Sequence, residues 1–393
     1  MTSRWLRFGS LALAIIAGSA ALPAPVPAQA HAERLVATPG RAEILAIGER
    51  VADYHVAQLA GGSAYPKVPT GNRNPIDPKG WEQGAFLIGL TTFADASGAP
   101  RYRQMIFERG AANGWTLGDR LYHADDHMIG QTYFWARSHG IGDAAIADMR
   151  ARFDRILANP SRIDLKFDRE APRCVDRWCW CDALFMAPAA WLEMSRVTGD
   201  RRYRDFAMKE FWAVTAYLFD ESEGLYFRDS SFFAERNAAG RKLFWSRGNG
   251  WVFAGLTRMI PLLDERDPDR ARLIALYTRM AARLQGLQKL DGYWSPSLLD
   301  EPGASVAESS GTAFYVYGLT WGVNHGLLDR AAYEPNIRRG WAALVRSVHP
   351  DGRLGWVQSI SDRPAAVTYD DTHDYGVGGF LLASSELLKL ADH

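Results

Sequence analysis

Twelve helical segments of two alternating kinds constrain the fold of this chain more than any other feature. Apolar residues recur at i, i+3, i+4 and i+7 through them, which is the period of an α-helix, whereas strand patterns are scarce. Six segments have one polar face, as surface helices do: 41–59, 101–113, 143–157, 200–218, 269–287 and 332–348. The other six are apolar or small nearly all round, as buried helices are: 84–94, 128–137, 183–195, 252–263, 312–323 and 377–388.

The strict alternation of outer and inner segments predicts an all-α fold made of six helical hairpins. The inner segments begin 44 to 69 residues apart, a loose period that is typical of repeat proteins with loops of variable length. An open helical solenoid is the alternative, but inner helices buried on all sides favour closure into an (α/α)6 toroid. No linker rich in Pro, Gly or Ser interrupts residues 31–393, so we expect a single domain there.

Residues 1–30 are typical of a secretory signal peptide. Arg4 and Arg7 precede an apolar run over 8–22, and Ala28-Gln29-Ala30 is a small-x-small cleavage site. The apolar run is too short to span a bilayer comfortably, and no other stretch approaches the roughly 20 apolar residues that a span requires. We therefore expect an exported protein, periplasmic or secreted, with no membrane attachment after cleavage.

Charge and cysteine content exclude several functional classes. Without residues 1–30 the chain carries 43 basic and 45 acidic residues, which argues against a nucleic-acid partner. Cys174, Cys179 and Cys181 are too few for a disulfide scaffold, although one pair could oxidise after export and leave an odd thiol. No zinc-ligand spacing and no nucleotide loop occur, so we expect no metal and no cofactor. The absence of a G-x-S-x-G elbow argues against a serine hydrolase. Nothing in the sequence sets the oligomeric state.

Polar and aromatic residues cluster where each inner segment begins. Parallel inner helices in a ring share one mouth, so these clusters would converge on one cavity. Helix capping explains single Asp or Ser residues there, but not the recurrence of Trp, Arg and Asn. Aromatic faces beside hydrogen-bonding groups suit sugar rings. The clusters are Trp81 and Gln83; Asp125, Asp126 and His127; Trp180 and Asp182; Trp245, Arg247, Asn249 and Trp251; Glu308, Ser309 and Ser310; and His373 and Asp374.

Asp182 is the candidate acid/base at this mouth. It lies between Trp180 and the apolar run 183–186, where a carboxyl would meet little water. Desolvation would raise its pKa and keep a proton available near neutral pH. Asp126 begins another inner helix and could face it. Two such carboxylates fit a standard glycosidase pair, or one acid/base and one residue that orients it.

Residues 245–251 (Trp-Ser-Arg-Gly-Asn-Gly-Trp) form the most specific short stretch. Its two glycines would let the backbone approach a ligand closely. Arg247 can offer a planar fork to a carboxylate, and Trp245 and Trp251 can bracket a ring. A tight turn with a surface arginine is the alternative.

Five stretches together resemble glycoside hydrolase family 105, the unsaturated rhamnogalacturonyl hydrolases, with family 88 as the nearest relative. The resemblance runs from about Trp81 to about Glu386 and implies an (α/α)6 catalytic barrel without a metal cofactor. It also implies an oligosaccharide substrate that ends in a 4,5-unsaturated uronic acid, the product of polysaccharide lyases. The stretches are Asp126-His-Met-Ile-Gly130, Trp180-Cys-Asp-Ala-Leu-Phe-Met186, 245–251, Glu308-Ser-Ser-Gly311 and Tyr375-Gly-Val-Gly-Gly-Phe-Leu-Leu382.

The resemblance further implies that the C4=C5 double bond is hydrated and that the anomeric carbon is not attacked. Asp182 would protonate C4 and take a proton from the water that attacks C5, after which the hemiketal opens and the glycosidic bond breaks. Asp126 would help to hold the ring and the water. The residues expected to line the sugar site are Trp180, Trp245, Arg247 and Trp251, and from the same mouth Trp81, Asn249 and Glu308.

One position departs from the family. Members carry a His after the Gly-Leu-Tyr turn, whereas Gly224-Leu225-Tyr226 is followed here by Phe227, Arg228 and Asp229. Arg228 in that pocket could pair with the uronate carboxylate, and the preferred neighbouring sugar would then differ. The parent polysaccharide stays open.

Three other functions remain open at this point. One is an ordinary inverting glycosidase that uses Asp126 and Asp182 on saturated oligosaccharides. Another is a carbohydrate-binding protein without catalysis. The third is an epimerase or lyase on the same barrel, for which the sequence offers no convincing histidine pair.

Overall fold

The predicted helical segments form fourteen α-helices in the part of the chain that the structure, a computed structural model, describes: residues 39–60, 77–301, 303 and 306–392. In chain order they are α1 (Arg41–Ala60), α2 (Trp81–Ser97), α3 (Pro100–Ala112), α4 (Ala124–His127), α5 (Gly130–Ala136), α6 (Ala147–Ala158), α7 (Ala183–Met186), α8 (Pro188–Thr198), α9 (Arg201–Leu218), α10 (Ser246–Met259), α11 (Pro268–Gln285), α12 (Ser309–Asn324), α13 (Arg330–Ser347) and α14 (Asp374–Ala391).

Short elements join these helices. A π-turn (Arg137–Ile141) and a 3₁₀ turn (Gly142–Ile146) lead into α6, and further 3₁₀ turns span Arg173–Arg177, Ser230–Phe232 and Ile260–Leu262. Two strands, β1 (Phe219–Asp220) and β2 (Leu225–Tyr226), pair antiparallel with Phe219 opposite Tyr226 and Asp220 opposite Leu225. They are the only strands in the described residues, as the scarcity of strand patterns predicted.

The inner helices close into a ring, which confirms the predicted (α/α)6 toroid. The inner layer is α2, α4–α5, α7–α8, α10, α12 and α14, and each member contacts the next. The ring closes because α14 packs along α2. Around it, α1 packs on α14, α3 on α2, α9 on α8, α11 on α10 and α13 on α12. The inner helices are buried between the outer layer and the axis, which explains their apolar sequences.

Glycines allow the backbones of α2 and α14 to touch where the ring closes. A Cβ at Gly89 would collide with the carbonyl of Gly378, and a Cβ at Gly378 would collide with the carbonyl of Ala85. A polar contact joins the same helices to α1: His55 Nε2 lies 3.1 Å from Asp374 Oδ1, and both side chains are at most 1% exposed. Gln83 donates to the other oxygen of Asp374.

Two inner helices are broken, and one break lies inside segment 183–195, which the sequence predicted as continuous. Pro188 has no N–H to donate to the preceding turn, so α7 ends at Met186 and α8 begins at Pro188. The second inner helix is interrupted at residues 128–129, between α4 and α5. Each break leaves a single helical turn, α4 or α7, at the N-terminal end of the inner layer.

Most inner helices also begin earlier than predicted. For example, α2 begins at Trp81, not at Gly84, and α10 begins at Ser246, not at Val252. The polar residues that were assigned to the preceding loops form the first helical turns. None of the helices in the described ranges combines the length and apolar character that a bilayer span requires. The signal peptide predicted at 1–30 lies outside the described residues, and the domain boundary at residue 31 stays a prediction.

The glycine contact between α2 and α14 predicts a stability effect. Gly378→Ala should lower the free energy of unfolding by about 1–3 kcal/mol, because the added methyl group overpacks a backbone contact that cannot move aside cheaply. Urea denaturation followed by circular dichroism measures this change. The matched control is Gly286→Ala, where the nearest atom to the new Cβ is 3.7 Å away and a change within about 0.5 kcal/mol is expected. Equal effects of the two substitutions would contradict close packing at the closure.

Candidate active site

Residues from four inner helices meet at the N-terminal mouth of the ring. The rings of Trp81 on α2 and Tyr375 on α14 stack at 5.2 Å, and Trp251 on α10 lies 6.3 Å from Trp81. The Arg247 guanidinium lies 4.5 Å from the Tyr375 ring. Burial raises the pKa of Asp182, next to α7, and the charge of Arg247 offsets part of that rise. The predicted convergence of these helix starts is therefore present in the structure.

Asp182 does not cap the helix that it precedes. Asp200, Asp229, Asp267 and Asp329 each accept a hydrogen bond from a backbone N–H of the following turn, but the Asp182 carboxylate makes no such bond to α7. The residue is 8% exposed. Backbone capping, the ordinary reason for an aspartate at a helix start, thus does not account for it.

The surroundings of Asp182 provide few strong hydrogen-bond donors. The Cys181 thiol donates to Oδ2 at 3.4 Å, and Arg228 Nε lies 3.9 Å from the same oxygen. Burial raises the pKa of Asp182, and the nearby Arg228, Cys181 and Arg247 offset only part of that rise. The pKa of the Cys181 thiol is itself raised by burial, so the S–H group remains a donor. The sequence had predicted that desolvation raises the pKa of Asp182, and the structure shows a shift in that direction.

The second carboxylate at the mouth is Asp125, and the sequence had selected its neighbour Asp126. The Asp126 carboxylate accepts from the backbone N of Arg120 at 2.6 Å and from the Arg120 guanidinium Nε at 2.9 Å. These bonds occupy both of its oxygens. A Cβ at Gly118 would lie 2.6 Å from its carboxyl carbon, so that glycine allows the close approach. The contacts make Asp126 an anchor for the loop before α4.

Asp125 has the electrostatic properties expected of a functional carboxyl. Its side chain is 18% exposed, and the nitrogens of Arg120 and His123 lie 4.0 and 3.7 Å from its Oδ2, beyond hydrogen-bond distance. Burial, together with the negative charges of Glu82 and Asp182, raises the pKa of Asp125 to about 7, although Arg120 opposes the shift. The negative charge of Asp182 thus helps to raise the pKa of Asp125. Each of the two carboxyls favours its protonated form more than an exposed aspartate does.

Arg228 lies beside Asp182, in the region where the sequence predicted a contact with the substrate. Its Nη1 donates to Asp229 Oδ2 at 2.7 Å, and its guanidinium lies 5.3 Å from the Phe167 ring. Its Nε is buried and has no hydrogen-bond partner among the described residues. A buried donor without an acceptor is uncommon in proteins and suggests that a ligand supplies one.

Arg247 holds a loop against the mouth through both of its terminal nitrogens, whereas the sequence had predicted that it offers a planar fork to a carboxylate. Its Nη1 donates to the carbonyl of Gln358 at 2.7 Å, and its Nη2 donates to the carbonyl of Ser359 at 2.9 Å. The guanidinium lies 4.5 Å from the rings of both Trp245 and Tyr375. Only its buried Nε has no partner in the described part of the chain.

Gln358 is a fully buried residue that holds Trp245 and Tyr375 in place, and sequence reasoning missed it. Its side-chain oxygen accepts from Trp245 Nε1 at 3.1 Å, and its Nε2 donates to the carbonyl of Arg363 at 2.7 Å. Its carbonyl also accepts from the hydroxyl of Tyr375. Gln358 belongs to no motif and lies in the loop between α13 and α14, so no pattern in the sequence indicated its position.

Three residues predicted to bind sugar instead support the structure. Asn249 Oδ1 accepts from Tyr226 N at 2.8 Å, and its Nδ2 donates to the carbonyls of Tyr226 and Trp245, each at 3.0 Å. Glu308 caps α12 by accepting from the backbone N of Ser310 and of Gly311. Trp251 is 1% exposed and packs on Phe185 and Phe314. Their polar groups or ring faces are already occupied.

Among the other predicted aromatic residues, Trp81 is partly exposed at the mouth. Trp180 is 4% exposed and its ring lies 4.9 Å from that of His123, whereas Trp245 is 3% exposed and bonded to Gln358. Trp81 is therefore the tryptophan of this set with the most open surface for a sugar ring.

A disulfide between Cys174 and Cys179 restrains the segment that leads to Asp182. Cys181 is then the odd thiol, and it is buried against Asp182. Within the described ranges, no group of three or more His, Cys, Asp or Glu side chains is arranged to hold a metal ion.

The toroid and its mouth, with two carboxyls of raised pKa beside tryptophan and arginine, define a carbohydrate-active protein. Comparison with known families is consistent with this class: the chain belongs to Glycosyl Hydrolase Family 88, whose model matches residues 49–391. The family group predicted from the sequence is confirmed, and the chain is a glycoside hydrolase.

Individual relatives cover nearly the whole chain. An unsaturated 3S-rhamnoglycuronyl hydrolase from Alteromonas sp. (strain LOR) is 40% identical over 353 residues, 87% of this chain and 85% of that protein. A solved structure described as a polysaccharide lyase is 27% identical with a TM-score of 0.76, covering 90% of this chain and 98% of that one. A glycosyl hydrolase family 88 structure from Bacteroides vulgatus is 25% identical with a TM-score of 0.76, covering 89% and 99%.

The contacts of Asn249 predict that it acts on stability. Asn249→Ala should lower the free energy of unfolding by at least about 2 kcal/mol, because it leaves the backbone groups of Tyr226 and Trp245 buried without partners. Thermal and urea denaturation measure the loss. Asn113→Ala, which removes one exposed bond to the Pro78 carbonyl, is the control and should change little. A normal stability with a raised KM would instead indicate that Asn249 contacts the substrate.

Proposed function

We propose that this protein removes a terminal 4,5-unsaturated uronic acid from oligosaccharides by hydrating its C4=C5 double bond. Membership of family 88 and the similarity to the Alteromonas hydrolase support the substrate class. The observation that carries the proposal is Asp182, a buried carboxyl at the mouth that caps no helix and whose pKa is raised. A carboxyl whose environment favours its protonated form is what protonation of a carbon–carbon double bond requires.

The reaction balances with one water molecule and one carboxyl. Protonated Asp182 gives its proton to C4 while the oxygen of water bonds to C5, and the carboxylate then takes a proton from that water. The carboxyl is thus regenerated within the cycle, and C5 carries both a hydroxyl group and the ring oxygen. This hemiketal opens to a ketone at C5, which leaves a hemiacetal at C1, and the glycosidic bond breaks with release of the neighbouring sugar.

Asp125 is assigned the orienting role that the sequence gave to Asp126. It shares the mouth with Asp182, it has no strong partner, and the pKa of about 7 lets it hold or share a proton. Asp126 is bonded to Arg120 through both oxygens, which supports an anchoring role for it.

Arg228 is assigned to the carboxylate of the uronate. Its buried Nε, which has no acceptor within the described residues, lies 3.9 Å from Asp182, so a carboxylate bound there would lie beside the acid. The same charge opposes the effect of burial on Asp182 and keeps its pKa from rising further. The Arg228 side chain thereby has two roles: it would bind the substrate carboxylate, and its charge affects the pKa of Asp182.

We also propose that the protein acts outside the cytoplasm. The signal peptide expected at residues 1–30 supports export, and the disulfide between Cys174 and Cys179 is compatible with an oxidising compartment. The substrate partner would be an oligosaccharide released there by a lyase.

Substitution of the three aspartates tests the assignment of roles. Asp182→Asn should lower kcat by about 100- to 10,000-fold, because the general acid is lost. Asp125→Asn should lower kcat about 100-fold with the melting temperature unchanged. Asp126→Asn should chiefly cost about 1–3 kcal/mol of stability, because it disturbs the bonds to Arg120. Loss of the ultraviolet absorbance of the C4=C5 bond in lyase digests of uronate polysaccharides measures activity.

The same assay separates the competing functions. An inverting glycosidase would act on saturated oligosaccharides, a binding protein would leave every digest unchanged, and a lyase would raise the absorbance of an intact polysaccharide. Activity of Asp182→Asn equal to that of the wild type, with an unchanged fold, would overturn the assignment of the acid.

The thiol beside the acid predicts a shift in the pH profile. Because Cys181 donates to the ionised form of Asp182, Cys181→Ala should raise the pKa of that carboxyl. A proton donor is lost as pH rises through its pKa, so the alkaline limb of kcat should move to higher pH in Cys181→Ala. Cys181→Ser keeps a hydrogen-bond donor, so the alkaline limb of its kcat profile should not move to higher pH. A lowered melting temperature with unmoved limbs would mean that Cys181 only packs.

A further inference from the structure

A second cavity lies at the opposite end of the ring from Asp182, where the inner helices end. Its volume is about 360 Å³, and every member of the inner layer contributes to its lining. A pocket that binds a small molecule usually measures about 300–1,000 Å³. Representative residues in ring order are Thr92, Gln131, Glu193, Arg258, Tyr317 and Glu386.

Arg258 supplies the unpaired charge of this cavity. The other four charged side chains of the lining form two ion pairs: Glu193 binds Arg196 at 3.0 Å, and Glu386 binds Lys389 at 2.7 Å. Arg258 forms no ion pair with any carboxylate of the residues that the structure describes, although it lies half-buried among them. The lining therefore has one positive charge more than its negative charges.

The orientation of Arg258 is fixed by a buried glutamine. Its Nε donates to Gln131 Oε1 at 2.6 Å. Gln131 is 6% exposed, and its own Nε2 donates to the carbonyls of Phe185 and Met186 at 2.9 and 3.3 Å, beside the helix break at Pro188. Neither Nη group of Arg258 has a hydrogen-bond acceptor within the described ranges. A guanidinium held by its Nε presents two N–H groups in the geometry that a carboxylate accepts.

Aromatic side chains line the same cavity as this guanidinium. Trp135 and Trp321 belong to the lining, and Tyr317, which is 4% exposed, is close enough that the charge of Arg258 opposes the effect of burial on its pKa. The Tyr317 hydroxyl lies 3.0 Å from Thr257 Oγ1. One oriented cation among aromatic and hydroxyl groups is the lining expected for a ring-shaped anion with hydroxyl groups.

We propose that this cavity is a second binding site, separate from the catalytic mouth, for a small ring-shaped carboxylate of the uronic acid class, held by Arg258. The site uses no residue of the mouth, so it does not rest on the proposed function. Binding and catalysis can therefore fail independently.

Calorimetric titration with sodium glucuronate tests the proposal. Wild-type protein should bind glucuronate, and Arg258→Gln should weaken that binding at least tenfold, because the charge that recognises the carboxylate is removed. Arg196→Gln is the matched control: it lies on the same lining but is paired with Glu193, so affinity should stay within twofold of wild type. Glucose, which has no carboxylate, should not bind.

A variant of the mouth separates the two possible locations. Trp81→Ala should leave the Arg258-dependent binding in place. Binding that is lost in Trp81→Ala and kept in Arg258→Gln would assign glucuronate to the mouth and overturn the proposal. The absence of any binding to the wild-type protein at millimolar glucuronate would also overturn it. If Arg258→Gln fails to fold, Arg258→Lys keeps the charge without the fork and should bind at least threefold more weakly. Wild-type affinity in a folded Arg258→Lys protein would also count against the site.

Discussion

Contact between the first and last inner helices is the constraint on which the rest of the structure depends. Gly89 and Gly378 let the backbones of α2 and α14 touch, and the buried carboxylate of Asp374 binds partners from both α1 and α2. With the ring closed, all inner helices run parallel and begin at one mouth. The stacking of Trp81 on Tyr375 exists only because of that closure. The aromatic pair of Trp81 and Tyr375 at the mouth is thus a product of the same contact that completes the fold.

Hydrophobic periodicity was sufficient to predict the fold, and it failed at the ends of the inner helices for a physical reason. The first turns of α2 and α10 face a cavity and carry polar residues, so the apolar pattern stops before the helix does. The break at Pro188 was visible in the sequence, since proline cannot continue the hydrogen bonding of the preceding turn. The break at residues 128–129 contains neither proline nor glycine and gave no comparable signal.

Sequence reasoning identified Asp182 because an apolar flank is local information, but it could not choose between Asp125 and Asp126. Adjacent residues in a helical turn point about 100° apart, and the choice depended on Arg120, whose loop geometry no pattern predicts. Asn249 and Glu308 are polar for structural reasons: one binds a strand and the other caps a helix. Gln358 reaches the mouth from a loop without a motif. The residues that surround a chemical group were thus harder to predict than the group itself.

The loop held by Arg247 has a consequence for how activity is acquired during synthesis. Arg247 and Gln358 are 111 residues apart in sequence, and Gln83 and Asp374 are 291 apart. Contacts of such separation form only after the intervening chain has been made, and closing long loops is slow. A partially synthesised chain would lack both the loop at Gln358, to which Arg247 is bonded, and α14, which closes the ring. The mouth therefore assembles only after α14 has been made and has packed along α2.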